Sequence, residues 1–273
     1  LEQMNMTRKN MPLNILLTND DGIDAQGLLA LHRVLSHEHR VCVIAPDRER
    51  SAVGHGITLH QPLRVTPVSI NGGARGLAVS GTPADCIKLA VLELMEQRPD
   101  LVISGINPGA NVGVDMNYSG TVAAAKEAAI YGIKSMAISM QGDGTHYFDE
   151  AAKFAAHVAP MVVSNGLPVG TFLNINLPNM PPDQAAGVRV SRQAIDLYNE
   201  YFEKRRDPRN HSYYWQGNVS QPDYRHQDSD GAALFDNYIT ITPVRCDMTD
   251  YNALEQIKKW DFKGGSGNGD EID

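Results

Sequence analysis

Residues 14–46 read NILLTNDDGIDAQGLLALHRVLSHEHRVCVIAP, and this stretch sets the fold class. It opens on a short apolar run that stops at Asn19, Asp20, Asp21 and Gly22, the pattern of a buried strand closed by a turn. "GLLALHRVLS" then places Leu28, Leu29, Leu31 and Leu35 on a helix-like face, and "RVCVIAP" is a second apolar strand. Strand, helix and strand make a βαβ unit, whose crossover requires parallel strands with helices on the faces. Two neighbouring carboxylates at the edge of a core are unfavourable unless something positive holds them. A lysine, a solvated surface and a metal ion are the candidates.

The alternation continues outward. "LRVTPV" and "GLAVS" read as short strands, and "PADCIKLAVLELMEQ" as a helix with Pro83 in its first turn. "DLVISG" is a strand, "TVAAAKEAAIYG" a helix ending at Gly132, "KSMAISM" a strand, "FDEAAKFAAHVAPMVVSN" a helix and "TFLNINLP" a strand. This predicts an α/β fold: a Rossmann-like, doubly wound, mostly parallel sheet in a three-layer sandwich, with a C-terminal extended β arm and terminal helix. The style changes near Gly187, where polar, aromatic, strand-like sequence runs on until a helix at "DYNALEQIKKW". The expected organisation is a flexible tail over 1–12, a catalytic domain over 13–186, an arm and helix over 187–262 used in oligomerisation, and a disordered tail over 263–273. An aromatic arm of this kind is expected to pack on a second subunit. The cluster Lys204, Arg205, Arg206 and Arg209 reads as a solvated loop ahead of a phosphate grip.

Bulk properties narrow the class. A length of 273 residues with 42% hydrophobic and 21% charged content suits one large α/β domain with an appendage. A formal net charge of −8 argues against a general nucleic-acid surface, so no duplex partner is expected. Cys42, Cys86 and Cys246 lack CxxC spacing and read as free thiols in a reducing compartment. No apolar run is long enough to span a bilayer, and the polar start lacks the apolar core of a secretory signal. A soluble, cytoplasmic protein is expected.

In an open parallel sheet, ligands bind beyond the carboxyl ends of the strands. The residues placed there are Asn19 to Gly22, then Asp47, Arg48, Glu49, Arg50 and Ser51, then Gly81, Thr82, Pro83 and Asp85. "INPGANVGVDMNYSGT" adds Asn107, Asn111, Asp115, Asn117, Ser119 and Thr121. Viewed alone, an Asp-Asp-Gly turn is more often a solvated turn. At the carboxyl edge of a first, central strand the same pair favours a hard cation such as Mg²⁺ or Mn²⁺, because carboxylate, hydroxyl and amide oxygens suit such ions. Ser119, Gly120 and Thr121 open an alanine-rich helix, whose N–H groups and partial positive charge would welcome a phosphate. In isolation, simple capping is the better explanation of the triplet. Next to a metal site, the two features together make a clamp for a phosphoryl group.

Other motifs are missing or ordinary. There is no GxGxxG after the first strand, no GxxxxGK[ST] and no GxSxG elbow. His55, His60 and His146 read as surface histidines, with His55 the best outside candidate because it lies near Ser51. Met136 and Met140 read as core.

"ILLTNDDGIDAQGLLAL", "VCVIAPDRERSAVGHGITL", "SGTPADCIKLA", "LVISGINPGANVG" and "YSGTVAAAKEAAIYG", in this order and spacing, resemble the SurE survival-protein family of nucleoside monophosphate phosphatases. The resemblance is dense from Asn14 to Met140 and looser beyond. It implies hydrolysis of nucleoside 5′- and 3′-monophosphates, and of short polyphosphate in some relatives. It implies one divalent cation per subunit held by Asp20, Asp21, Ser51 and Asn107, and a phosphate pocket at Asn111, Ser119, Gly120 and Thr121. The catalytic set is then Asp20, Asp21 and Asn111, with the choice of general base between the two acids left open. A homodimer or homotetramer through exchanged C-terminal elements is implied. Gly54 and Gly56 stand where many relatives carry Ser or Asn. A non-catalytic metal- and nucleotide-binding sensor is the alternative, and a phosphoacceptor receiver domain fits poorly because Lys134 precedes its strand.

Overall fold

The computed structural model describes residues 11–70, 72–142, 147–195, 200–218 and 226–262. Its elements run β1 (Asn14–Thr18), α1 (Gln26–Leu35), β2 (Arg40–Pro46), β3 (Val65–Ile70), β4 (Ala74–Val79), α2 (Pro83–Leu89), β5 (Leu101–Pro108), α3 (Gly120–Ile130), β6 (Lys134–Met140) and α4 (Phe148–Asn165). They continue with β7 (Thr171–Leu177), β8 (Val188–Val190), β9 (Glu200–Arg206), β10 (Ser212–Asn218), α5 (Asp230–Phe235), β11 (Ile239–Arg245) and α6 (Tyr251–Ile257).

Nine strands form one sheet in the order β3-β4-β2-β1-β5-β6-β7-β11-β8. The pairings from β4 through β7 are all parallel, so the ends of β1, β2, β4 and β5 share one edge. Only β3 on β4 and β11 on β7 run antiparallel. Both faces are covered. Ile15 and Leu17 pack with α1 and α4 residues such as Leu28, Leu31, Ala155 and Val158, whereas Leu16 packs on the other side with Ile87, Ala124 and Ala128. That is why β1 is apolar at every position and not alternating. Met136 and Met140 are core, as expected.

Local chemistry sets the helix starts. Thr82 caps α2, accepting from the Asp85 N–H while the Asp85 carboxylate accepts from the Thr82 N–H, and Pro83 fits the first turn. Ser119 caps α3 by accepting from the Val122 N–H. At the irregular end of β5 the register shifts between Ser104 and Asn107. Glycine is required there: a Cβ at Gly105 would lie 2.3 Å from the Ile138 carbonyl oxygen.

Three features depart from the sequence reading. β8 and β11 join the main sheet, so a boundary at Gly187 does not separate an arm from it, and the projecting hairpin is β9 with β10. Paired with β7 on one side and β8 on the other, β11 buries Ile239, Thr240 and Thr242, so both of its faces are covered at this end. A short helix, α5, lies where no helix was read; Ser229 caps it, and Asp230 accepts backbone N–H groups of Gly113 and Ala194. Of the basic cluster, Lys204, Arg205 and Arg206 lie on a strand and Arg209 in the turn that follows; all are exposed, with Arg205 paired to Glu203 and Arg206 bonded to Asn210. His146 and the tails 1–10 and 263–273 lie outside the described residues. No described helix is long and apolar enough to cross a membrane, and the three cysteines are free thiols.

Candidate active site

The first strand ends as a site because Gly22 turns the chain. Its φ is +103°, a Cβ there would crowd the Arg48 backbone at 3.1 Å, and the Asn19 amide closes the turn by donating to the Gly22 carbonyl at 2.9 Å. The Arg50 N–H donates to the Asp20 carbonyl at 2.7 Å, which ties the loop after β2 to the end of β1. Asp20 is buried, and the Thr121 hydroxyl at the start of α3 donates to its Oδ1. Gly120 is required beside it, since a Cβ would stand 2.7 Å from the Asp20 Cβ.

Among the described residues neither Asp20 nor Asp21 pairs with a lysine or arginine. Burial pushes the Asp20 carboxyl up, and the Thr121 hydroxyl and the backbone amides of Thr121 and Gly120 pull only part of the way back. Asp21 is pushed up to about 7, by burial first and then by the charges of Asp20 and Glu49. Its Oδ2 is buried without a hydrogen-bond partner, as is Asn19 Oδ1. Desolvated, mutually repelling carboxylates with an orphaned oxygen are a costly arrangement for a protein to keep empty-handed, and a divalent cation removes the cost. The lysine and the solvated turn both drop out as answers.

The remaining predicted residues are distributed as follows. Ser51 is exposed and its hydroxyl donates to Glu49 at 2.8 Å, with Ala52 held at φ +56° just after it. Asn107 donates its amide to the Gly109 carbonyl at 2.7 Å, which leaves Oδ1 without a hydrogen-bond partner among the described residues. Thr121 is fully buried with its hydroxyl committed to Asp20, and its backbone amide, like that of Gly120, also supports that carboxylate. The helix start read as a phosphate receiver thus already turns toward Asp20. Asn111 gives one amide hydrogen to the Ser139 hydroxyl at 2.8 Å and keeps the other. Its backbone is held by two asparagines of β7: Asn176 accepts from the Asn111 N–H at 2.7 Å and donates to its carbonyl at 3.1 Å, and Asn174 donates to the same carbonyl at 2.7 Å.

Sequence reading missed several of these parts. Glu49 was placed at the edge without a role, yet its charge acts on Asp21. Asn174 and Asn176 carry the alternation of "NIN", which puts both on one face of β7. Asp85 was placed at the edge, but not its role: it accepts the Thr58 N–H at 3.0 Å and so pins the far end of the loop carrying Ser51. Glu127 accepts from Lys88 at 3.3 Å and pairs with the His55 ring at 2.7 Å. His60 is exposed.

The donor set fits a hard cation. Two carboxylates, the free Asn107 carbonyl oxygen and the Ser51 hydroxyl are all oxygens, and among the described residues no group of three or more His, Cys, Asp or Glu side chains is arranged to hold a metal. Fold and site together define a doubly wound α/β protein with an acidic, oxygen-donor centre at the carboxyl edge of its sheet. The profile of the SurE family (Survival protein SurE) matches residues 15–200. Relatives named 5′-nucleotidase SurE include those of Desulfatibacillum aliphaticivorans, 54% identical over 91% of this chain and 98% of the relative, and Syntrophobacter fumaroxidans, 47% identical over 92% and 100%. The crystal structure of the SurE protein from Aquifex aeolicus superposes with a TM-score of 0.79 at 38% identity, covering 90% of this chain and 98% of that one. The chain belongs to the SurE family.

Proposed function

We propose that this chain is a divalent-metal-dependent phosphatase that hydrolyses nucleoside 5′-monophosphates to nucleoside and phosphate. The observation that carries the reading is the uncompensated pair Asp20 and Asp21 at the edge where α3 begins. Relatives named 5′-nucleotidase support the substrate class. Asp20, Asp21, Ser51 and Asn107 hold one Mg²⁺ or Mn²⁺. When bound, the cation offsets charge on the phosphoryl oxygens and supplies an acidified water. The chain's own residues do the rest. Thr121 fixes Asp20 in one orientation. Asp21, the acid whose Oδ2 has no hydrogen-bond partner among the described residues, would take the proton from the attacking water. The free Asn111 amide hydrogen, Ser119 and the backbone of Gly120 and Thr121 face the phosphate, an anion suited to a helix start.

The same site accepts 3′-monophosphates and short polyphosphate as secondary substrates. We place the protein in the cytoplasm, in keeping with its free thiols. It assembles as a dimer or tetramer through its C-terminal elements, where Phe202, Tyr214, Trp215, Trp260 and Phe262 are exposed. Light scattering checks the assembly. Phosphate release from 5′-AMP, 3′-AMP and tripolyphosphate, with Mg²⁺ or Mn²⁺ and then with EDTA, tests the activity. Release that requires metal is expected. Binding of metal and nucleotide without release would make the protein a sensor.

A further inference from the structure

Beside the acidic edge lies a cavity of about 680 Å³, within the 300–1,000 Å³ range of small-molecule sites. It does not reach Asp20 or Asp21. It meets the candidate active site at Ser119, the cap of α3, and follows one face of that helix through Val122, Ala123 and Lys126. Seven residues of helix carry it about 10 Å away from the helix start. A ligand with its phosphate at Ser119 and Gly120 would lay the rest of its body along this groove.

The lining is of two kinds. Pro243, Val244 and Met248 offer apolar surface, while His55, Asn117 and Gln193 bring polar edges. A polyphosphate chain would find little use for the apolar part. Two of the cations at the rim are answered locally, Arg192 by Asp228 at 2.9 Å and Arg245 by Asp247 at 3.7 Å. A flat heterocycle on a hydroxylated sugar matches both kinds of lining.

His55 is the most constrained polar group there. Its Nε2 meets the Glu127 carboxylate at 2.7 Å, and Glu127, only 7% exposed, is held in turn by Lys88, which also reaches the Tyr131 hydroxyl at 3.2 Å. The loop beneath the ring is fixed as well, because the Gly54 N–H donates to the Tyr118 carbonyl at 2.9 Å. Among the described residues Nδ1 makes no hydrogen bond. A ring held this way at one nitrogen presents the other to a ligand with little ordering left to do.

We propose that this cleft receives the nucleoside half of the substrate, and that His55, oriented by Glu127, is a specificity residue that recognises it. The inference rests on the phosphatase reading and adds to it where the base and sugar lie. The test compares 5′-AMP with p-nitrophenyl phosphate, an ester that lacks a nucleoside, in wild type and His55→Ala. The ratio of kcat/KM for AMP over that for p-nitrophenyl phosphate is expected to fall about tenfold, the weight of one hydrogen bond. Glu127→Gln, which loosens the ring without removing it, should lower the same ratio by less. Titration calorimetry with adenosine reads the cleft independently of turnover, and binding about tenfold weaker in His55→Ala is expected. An unchanged ratio with unchanged adenosine affinity overturns the inference while leaving a phosphatase. Hydrolysis of neither ester by wild type overturns the phosphatase reading instead, and the adenosine titration then decides the cleft alone.

Discussion

At the start of α3 Asp20 is 3% exposed and lies beside a second acid; two turns along the same helix, Glu127 is 5% exposed. Both are closed to solvent and the electrostatic outcome is opposite. Around Glu127 the fold supplies Lys88 and the His55 ring, and although burial alone would raise its carboxyl, these partners hold it below the usual glutamate range. Around Asp20 it supplies a hydroxyl and two backbone amides, and among the described residues the charges that act on Asp21 are two further acids, so burial wins and both carboxyls rise. A fold that neutralises one buried acid and leaves another pair bare gives that pair the charge a cation site requires. The difference marks the site more sharply than burial or position does.

Removing the bare charge is the strongest way to break the contrast. Asp21→Asn is expected to reduce kcat/KM for 5′-AMP by at least about a thousandfold, as loss of a catalytic charge does. The same change should stabilise the metal-free protein at pH 7 and above by on the order of 1–2 kcal/mol. The sign follows from the raised carboxyl: its protonated form is favoured by folding, so metal-free wild type loses stability as pH rises from the unfolded range near 4 through about 7. Urea unfolding at pH 5 and pH 8 in EDTA measures it, and a mutant less stable at pH 8 would contradict the account.

Gly120→Ala attacks the same pair sterically. A methyl 2.7 Å from the Asp20 Cβ and 2.9 Å from Oδ2 must displace the carboxylate. Activity is expected to fall about a hundredfold, in line with the cost of a 1 Å misplacement, together with weaker Mn²⁺ binding by calorimetry.

At the neutralised end the expected effect is on stability. Glu127→Gln should cost about 1–3 kcal/mol at pH 7, the worth of hydrogen bonds to a charged group. Glu127 is held below its ordinary range, so its contribution is present above about pH 4 and is lost as pH falls through the folded value. The mutant and wild-type unfolding curves should converge at acid pH.

Asn176→Asp is the mildest probe. It exchanges the amide that donates to the Asn111 carbonyl for an acceptor, while the Asn111 N–H keeps its partner. A fall in kcat of about tenfold with little change in KM is expected, and an unaltered kcat would show that the β7 clamp does not position the loop.

Much of the frame was legible beforehand. β6 and α4 fall on the residues read as strand and helix, Lys134–Met140 and Phe148–Asn165, since an apolar run with turn signals and a helical periodicity are each encoded within a dozen positions. The pair Asp20 and Asp21 was legible for the same reason, being adjacent and followed by Gly22. Helix α5 was not, because six residues are too short for a period, and its signal is a cap at Ser229 plus a carboxylate that reaches Gly113 from far away. Glu127 was passed over inside "AAAKEAA", where nothing nearby announces a buried acid.

What the sequence by itself determined is the succession of strands and helices, and with it the single edge where the oxygen-rich turns converge. Parallel βα alternation leaves no other place for the strand ends. Only the tertiary structure decided which group answers which charge. Thr121 meets Asp20 across 101 residues, His55 meets Glu127 across 72 and Asn176 meets Asn111 across 65. Pattern along a chain carries periodicity and turns, whereas the desolvation and pairing of a charge depend on neighbours that come together only when the sheet has formed.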